Sequence, residues 1–171
     1  AWLNFQRRCV RNYKESSHAD KAASVREAAL NQAYRLYTLA LASAPEDGAM
    51  NRLRESATAP AIAKWMLASA YASAGKKAVA KETVSGLKSE TIGYSPDSRT
   101  YGSPLRDKAI MLESLVLTDD IRGALELAEE IAEDSGTRAL STQYSAFMAS
   151  AVCRLADRLN TGALHAEFRY G

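Results

Sequence analysis

The 171-residue chain is short of the residues that mark most specialised protein classes. It has two cysteines, two histidines, two tryptophans, three phenylalanines, four prolines and nine glycines. Two cysteines can make at most one bridge, so a disulfide scaffold is excluded. Cys9 and Cys153 stand in no metal or redox spacing and read as packing thiols. His18 and His165 lie far apart, and neither has a second histidine or a cysteine at ligand spacing, so no metal site and no cofactor is expected. The formal net charge of +2 is too small to argue for nucleic acid, and no basic cluster interleaves with aromatics. No apolar run approaches the roughly 18 residues of a membrane span. Direct contact with nucleic acid or membrane is therefore not expected. The chain starts at Ala1 without Met and carries no signal peptide, as expected of a piece of a longer protein.

What remains is an ordinary globular mix, 47% hydrophobic and 25% charged, rich in Ala and Leu. Glycine and proline fall between periodic segments, which favours helices throughout. A weak stripe of Leu3, Phe5, Val10 and Tyr13 opens the chain. "NQAYRLYTLALAS" is apolar on nearly every side, and Pro45-Glu46-Asp47-Gly48 stops it. Met50 and Leu53 carry a short amphipathic helix. "APAIAKWMLASAYASAG" is again apolar nearly all round, whereas "KKAVAKETVSGL" offers only Ala80, Val84 and Leu87. After a long loop from Lys88 to Gly102, Leu105, Ala109, Leu112 and Val116 form an i, i+4, i+7, i+11 row. Thr118-Asp119-Asp120 can cap a helix with Ile121, Ala124, Leu125, Ala128, Ile131 and Ala132 on one face. Arg122, Glu126, Glu129, Glu130 and Glu133 lie opposite, and with Asp134 read as a solvated acidic face. Ser141 can cap a last helix carrying Tyr144, Phe147, Met148, Ala151, Val152 and Leu155.

Helices apolar on most faces thus alternate with helices apolar on one stripe. The first kind is buried and the second lies on the surface. Apolar segments near Leu36, Met66, Leu112 and Met148 recur at roughly 30 to 45 residues, the range of helical repeats. The expected fold class is all-α: an α/α-hairpin array, either an open solenoid or part of an α/α toroid. The helical unit spans 1-160. Residues 161-171, with "LHAEFRY" alternating strictly, read as a linker and orphan β-strand leading to a following β domain, or as an unstructured tail.

Four segments in order, "AYRLYTLALASAPEDGAMNRLRE", "WMLASAYASAGKKAVA", "TYGSPLRDKAIMLESL" and "LSTQYSAFM", resemble the thioester-type helical domain of bacterial alpha-2-macroglobulin-like proteins. The resemblance runs from Asn31 to Leu155. Its most specific parts are Tyr101, Gly102, Ser103, Arg106 and Asp107, together with Ser141, Thr142 and Gln143. It implies an α/α toroid inserted in a β-sandwich domain, with this chain as the toroid's C-terminal part. It further implies a periplasmic or cell-envelope protease inhibitor, its parent lipid-anchored. The partners it implies are neighbouring β domains of the same parent chain and, through the parent, target proteases. A truncated toroid would bare inner surface, so self-association of the fragment, or marginal stability, is expected. The family's thioester joins a Cys and a Gln in a Cys-x-Glu-Gln motif. No such motif occurs here, where Cys9 sits in "RRCVRN" and Cys153 in "AVCRLA", so no thioester residue is carried over.

Arg106 and Asp107 pose the sharpest choice, between a catalytic pair and a helix-start device. Ser103 is placed as an N-cap, Pro104 at the first helical position and Asp107 near the positive helix end. A catalytic pair needs a nucleophile or a substrate pocket, and neither is legible. The expectation is no enzyme. Tyr34, Tyr37, Trp65 and Tyr71 could line a glycan cleft but read more simply as core. Ser141-Thr142-Gln143 reads as a cap. The leading reading is a non-catalytic structural domain of a protease trap, and the alternative is a helical-repeat module that binds a peptide or protein.

Overall fold

A computed structural model describes residues 1–14, 22–89, 103–135 and 141–160. Among these there are eight helices and no strand: α1 (Trp2–Arg11), α2 (Ala22–Leu41), α3 (Asp47–Glu55), α4 (Ala61–Ser73), α5 (Lys77–Val84), α6 (Pro104–Leu117), α7 (Ile121–Ser135) and α8 (Thr142–Leu159). The all-α class expected from the sequence holds. The tail from 161 onward, with its expected strand and His165, and the segment bearing His18 lie outside the described residues.

The helices form two layers. α2, α4, α6 and α8 pack one against the next in chain order, while α3 packs against α2 and α4, α5 against α4 and α7 against α6. Burial follows the layers. In α4, Ile62, Ala63 and every residue from Trp65 to Ala72 are buried. Leu36, Leu39, Met66, Leu67 and Leu112 lie deepest, and each such side chain contributes about 2 kcal/mol by leaving water. α1 packs against α2 and α3 through the fully buried Val10, but Trp2, Leu3 and Phe5 remain exposed. At the other end of the array, Val152 and Leu159 on α8 are also exposed.

Three of the inner helices, α2, α4 and α6, end alike. After α4, Gly75 takes φ +79°, Lys76 N–H donates to Tyr71 C=O at 2.8 Å and Gly75 N–H to Ala72 C=O at 3.0 Å. This is the Schellman turn, which satisfies the last carbonyls of a helix. α2 ends in the same turn with Ser43 at φ 55°, and α6 with Asp119 at φ 63°. Three hairpins are thus built on one corner, and only one of them uses glycine.

Several faces differ from the sequence reading. α7 buries Ala124, Leu127 and Ile131, while Leu125 and Ala132 are exposed. The i, i+3, i+7 row won because α7 presents a narrow face to α6. Thr118 does not cap α7. Its hydroxyl donates back to Ser114 and Leu115 carbonyls in α6, and Asp120 Oδ1 accepts from Gly123 N–H instead. The acidic face is not wholly solvated, since Glu130 and Asp134 reach Lys108. Cys9 is half-buried and Cys153 exposed, so the second is not a packing thiol.

Candidate functional site

α6 reads in sequence as one of the recurring apolar segments, and it is buried on all sides from Leu105 to Val116. Its four charged residues near the core, Arg106, Asp107, Lys108 and Glu113, are all at least nine-tenths buried. A charge removed from water must be paired or hydrogen-bonded, and the partners define the site.

The helix start is built as the sequence suggests. Ser103 Oγ accepts from Arg106 N–H at 3.1 Å, Pro104 occupies the first turn and Asp107 lies beside the N-terminus. Arg106 Nε and Nη2 both donate to Asp107 Oδ1, at 3.2 and 2.9 Å. Arg106 is thus ion-paired with the next residue of its own helix. Lys108 points outward and donates to Glu130 at 2.7 Å and Asp134 at 2.5 Å on α7. Burial opposes its charge, but those two carboxylates prevail and its pKa lies above the ordinary lysine value.

Glu113 points inward, two turns beyond Arg106. Its Oε1 accepts from Tyr37 OH of α2 at 2.8 Å and from Ser150 Oγ of α8 at 2.7 Å. Arg154 Nε of α8 donates to the same oxygen at 2.8 Å. Arg154 Nη2 also lies 3.5 Å from the Tyr37 hydroxyl. Burial and the adjacent carboxylate push the Tyr37 phenol well above its usual range, so it stays a donor. Burial opposes the Arg154 charge, but Tyr37 and Glu113 together raise it. Three inner helices are tied at one carboxylate oxygen.

This network faces a cavity of about 480 Å³ between α2, α6 and α8, with Met66 of α4 contributing to its lining. Tyr34 and Phe147 meet edge-on across it, centroids 6.0 Å apart at 71°. Arg106 and Gln143 line it together, as do Glu113 and Ser150 two turns on. The matched steps along α6 and α8 mean that the two helices run parallel, as inner helices of a hairpin array must.

Of the residues singled out from sequence, Ser103, Arg106 and Asp107 gather at the start of α6. Ser141, Thr142 and Gln143 gather at the start of α8, where Ser141 Oγ accepts from Tyr144 N–H at 3.2 Å. Arg106 and Gln143 come together at the cavity. Thr142 is exposed, and Tyr101 and Gly102 lie outside the described residues. Tyr37, Trp65 and Tyr71 are core, but Tyr34 is 48% exposed. Sequence reading missed Glu113, Ser150 and Arg154. Their only signal was a glutamate two turns after an arginine in a helix otherwise apolar at those levels.

Among the described residues no three His, Cys, Asp or Glu side chains gather to hold a metal ion, and no helix is long and apolar enough to cross a membrane. No protein-family model, curated protein or solved structure matches this chain.

Proposed function

We propose that the chain is a non-catalytic structural segment of a bacterial alpha-2-macroglobulin-like protease trap, the C-terminal part of its thioester-type helical toroid. On this reading it works in the periplasm or cell envelope, packs against β domains of its own parent, meets proteases only through that parent and needs no cofactor. One observation carries the reading. The two segments most specific to the resemblance begin neighbouring, parallel inner helices, and Arg106 and Gln143 from them face one cavity. That is how motifs would be arranged if they held a shared architectural corner. The intact parent tests it. A trapped protease should keep its activity on a small peptide substrate and lose it on a large protein. Unchanged activity on both would overturn the reading. Methylamine treatment of the same parent, read by thiol titration and mass, then separates a trap with a thioester from one without.

A second reading, a helical-repeat module that binds peptide, is favoured by the open cavity itself. It predicts that the 171-residue chain alone binds peptide.

A further inference from the structure

α1 is held on one side and bare on the other. Val10 is fully buried where the helix packs on α2 and α3, whereas Trp2 and Phe5 are each 52% exposed and Leu3 38%. Trp2, Phe5 and Cys9 stand at i, i+3, i+7 and so share one edge of the helix. Asn4, Arg8 and Arg11, at i, i+4, i+7, form the row beside it, and all three are exposed.

The charge on this helix has one sign. Residues 1–14 hold Arg7, Arg8, Arg11 and Lys14 and no acidic side chain. One carboxylate, Glu46, answers both Arg7 and Arg11, so positive charge is in excess. The apolar patch is also small. A half-exposed aromatic ring offers about 100 Å², so Trp2, Leu3 and Phe5 together present roughly 300 Å², against the ~800 Å² per partner of a stable protein interface. A bilayer surface needs neither that area nor a matching shape. An amphipathic helix lies on it with Trp, Phe and Leu at the acyl boundary and Arg and Lys among the lipid phosphates. The lack of a spanning run excludes a helix across the bilayer, not one along its surface.

We propose that α1 docks the chain on an anionic lipid surface, with Trp2, Leu3 and Phe5 entering the interface and Arg8 and Arg11 facing the headgroups. The assignment is independent of the protease-trap and peptide-module readings.

The test mixes the 171-residue chain with vesicles of phosphatidylcholine alone and of phosphatidylcholine with about a third phosphatidylserine. Binding is read by co-sedimentation and by tryptophan emission. Trp65 is 3% exposed, so of the two tryptophans Trp2 is the one placed to report a new environment. The expected result is co-sedimentation and a blue shift with the anionic vesicles, several-fold weaker binding to the neutral ones, and loss of binding in high salt. Arg8→Glu should weaken binding at least about five-fold, the scale of one basic residue at such a surface. Phe5→Ser should weaken it too. Both variants change exposed residues and should keep the helical spectrum. Leu125→Ser, at an exposed position on α7, should bind as the parent chain does. No binding to anionic vesicles, equal binding to neutral ones, or indifference to Arg8→Glu and Phe5→Ser would each overturn the assignment. So would equal loss in Leu125→Ser, which would mean general stickiness. A blue shift that grows with protein concentration without vesicles, and that Phe5→Ser removes, would overturn it in favour of a second copy of the chain.

Discussion

α4 and α6 hold equivalent places in the inner row and are both enclosed by neighbours, but they meet burial in opposite ways. α4 has one charged residue, the half-buried Lys64, and a core of Ile62, Trp65, Met66, Leu67, Tyr71 and small residues. α6 buries two acids and two bases. The charges of α6 each have a direction: Arg106 to Asp107 along the helix start, Lys108 out to α7, Glu113 in to α2 and α8. Apolar contact provides most of what holds α4, with one directed bond from Tyr71 OH to Asn51 Oδ1 of α3 at 2.7 Å. The polar contacts of α6 are satisfied in one register only, and such networks can fix an arrangement as well as stabilise it.

Breaking the inward network should show the largest effect. Glu113→Ala leaves Tyr37 OH, Ser150 and Arg154 without their acceptor, and about 3 kcal/mol of stability is expected to go. Leu67→Ala, the apolar counterpart on α4, should cost a similar amount, about 2–5 kcal/mol. The difference lies in coupling. Combining Glu113→Ala with Arg154→Ala should cost clearly less than the sum of the two single changes, whereas Leu67→Ala and Arg154→Ala should add. Urea unfolding of the three single and two double variants measures this. Additive losses at Glu113 and Arg154 would mean that the network does no joint work.

The shared corners come next. Gly75 has open space for a Cβ but a positive φ, so Gly75→Ala should lose about 1 kcal/mol by backbone strain alone. Ser43 endures the same conformation with a side chain, and Ser43→Gly should gain up to about 1 kcal/mol. Opposite shifts in the melting midpoint would support one corner used twice. A loss in both would mean that Ser43 makes the corner in another way.

The outward charge of α6 should matter less. Glu130 and Asp134 are about half exposed, so Lys108→Met strands no buried partner, and the change is expected within about 1 kcal/mol. Its trace should be a pH dependence. The folded pKa of Lys108 is raised above 10.5, so its contribution is complete below that value and fades as pH rises through the folded pKa. Lys108→Met should remove that part of the alkaline loss.

These contrasts also explain what was readable in the chain. Two layers were legible because apolar periodicity reports burial directly: α2 and α4 look enclosed, and α5 and α7 look superficial. α6 was legible as one of the recurring apolar segments, but its inward polar network was not, because the groups that compensate Glu113 lie far off in sequence. Tyr37 is 76 residues from Glu113, and Ser150 and Arg154 are 37 and 41 away. The caps at Ser103 and Ser141 were legible because they are local. The repeated corner was not, since Ser43 and Asp119 carry none of the glycine signal that Gly75 does.

The smallest effect concerns the edge of the array, where a charge latch joins the buried Val10 and the Gln32 Nε2 to Val10 C=O hydrogen bond in holding α1. Glu46, just before α3, receives Arg11 Nε and Nη2 at 2.8 Å each, and Arg7 Nε lies 2.9 Å away. The Arg11 hydrogen bonds hold the Glu46 carboxyl below its ordinary value of 4.5, against the opposing effect of burial and with help from the nearby charges. A lowered carboxylate pKa means that the contribution is complete above 4.5 and lost as pH falls through the folded value. Only α1 depends on this latch. Amide exchange should therefore quicken in α1 in acid while α4 and α6 keep their protection, and Glu46→Gln should produce the same local change at neutral pH. If α1 and α4 instead loosen together, α1 belongs to the cooperative core, and Val10 rather than Glu46 is what holds it.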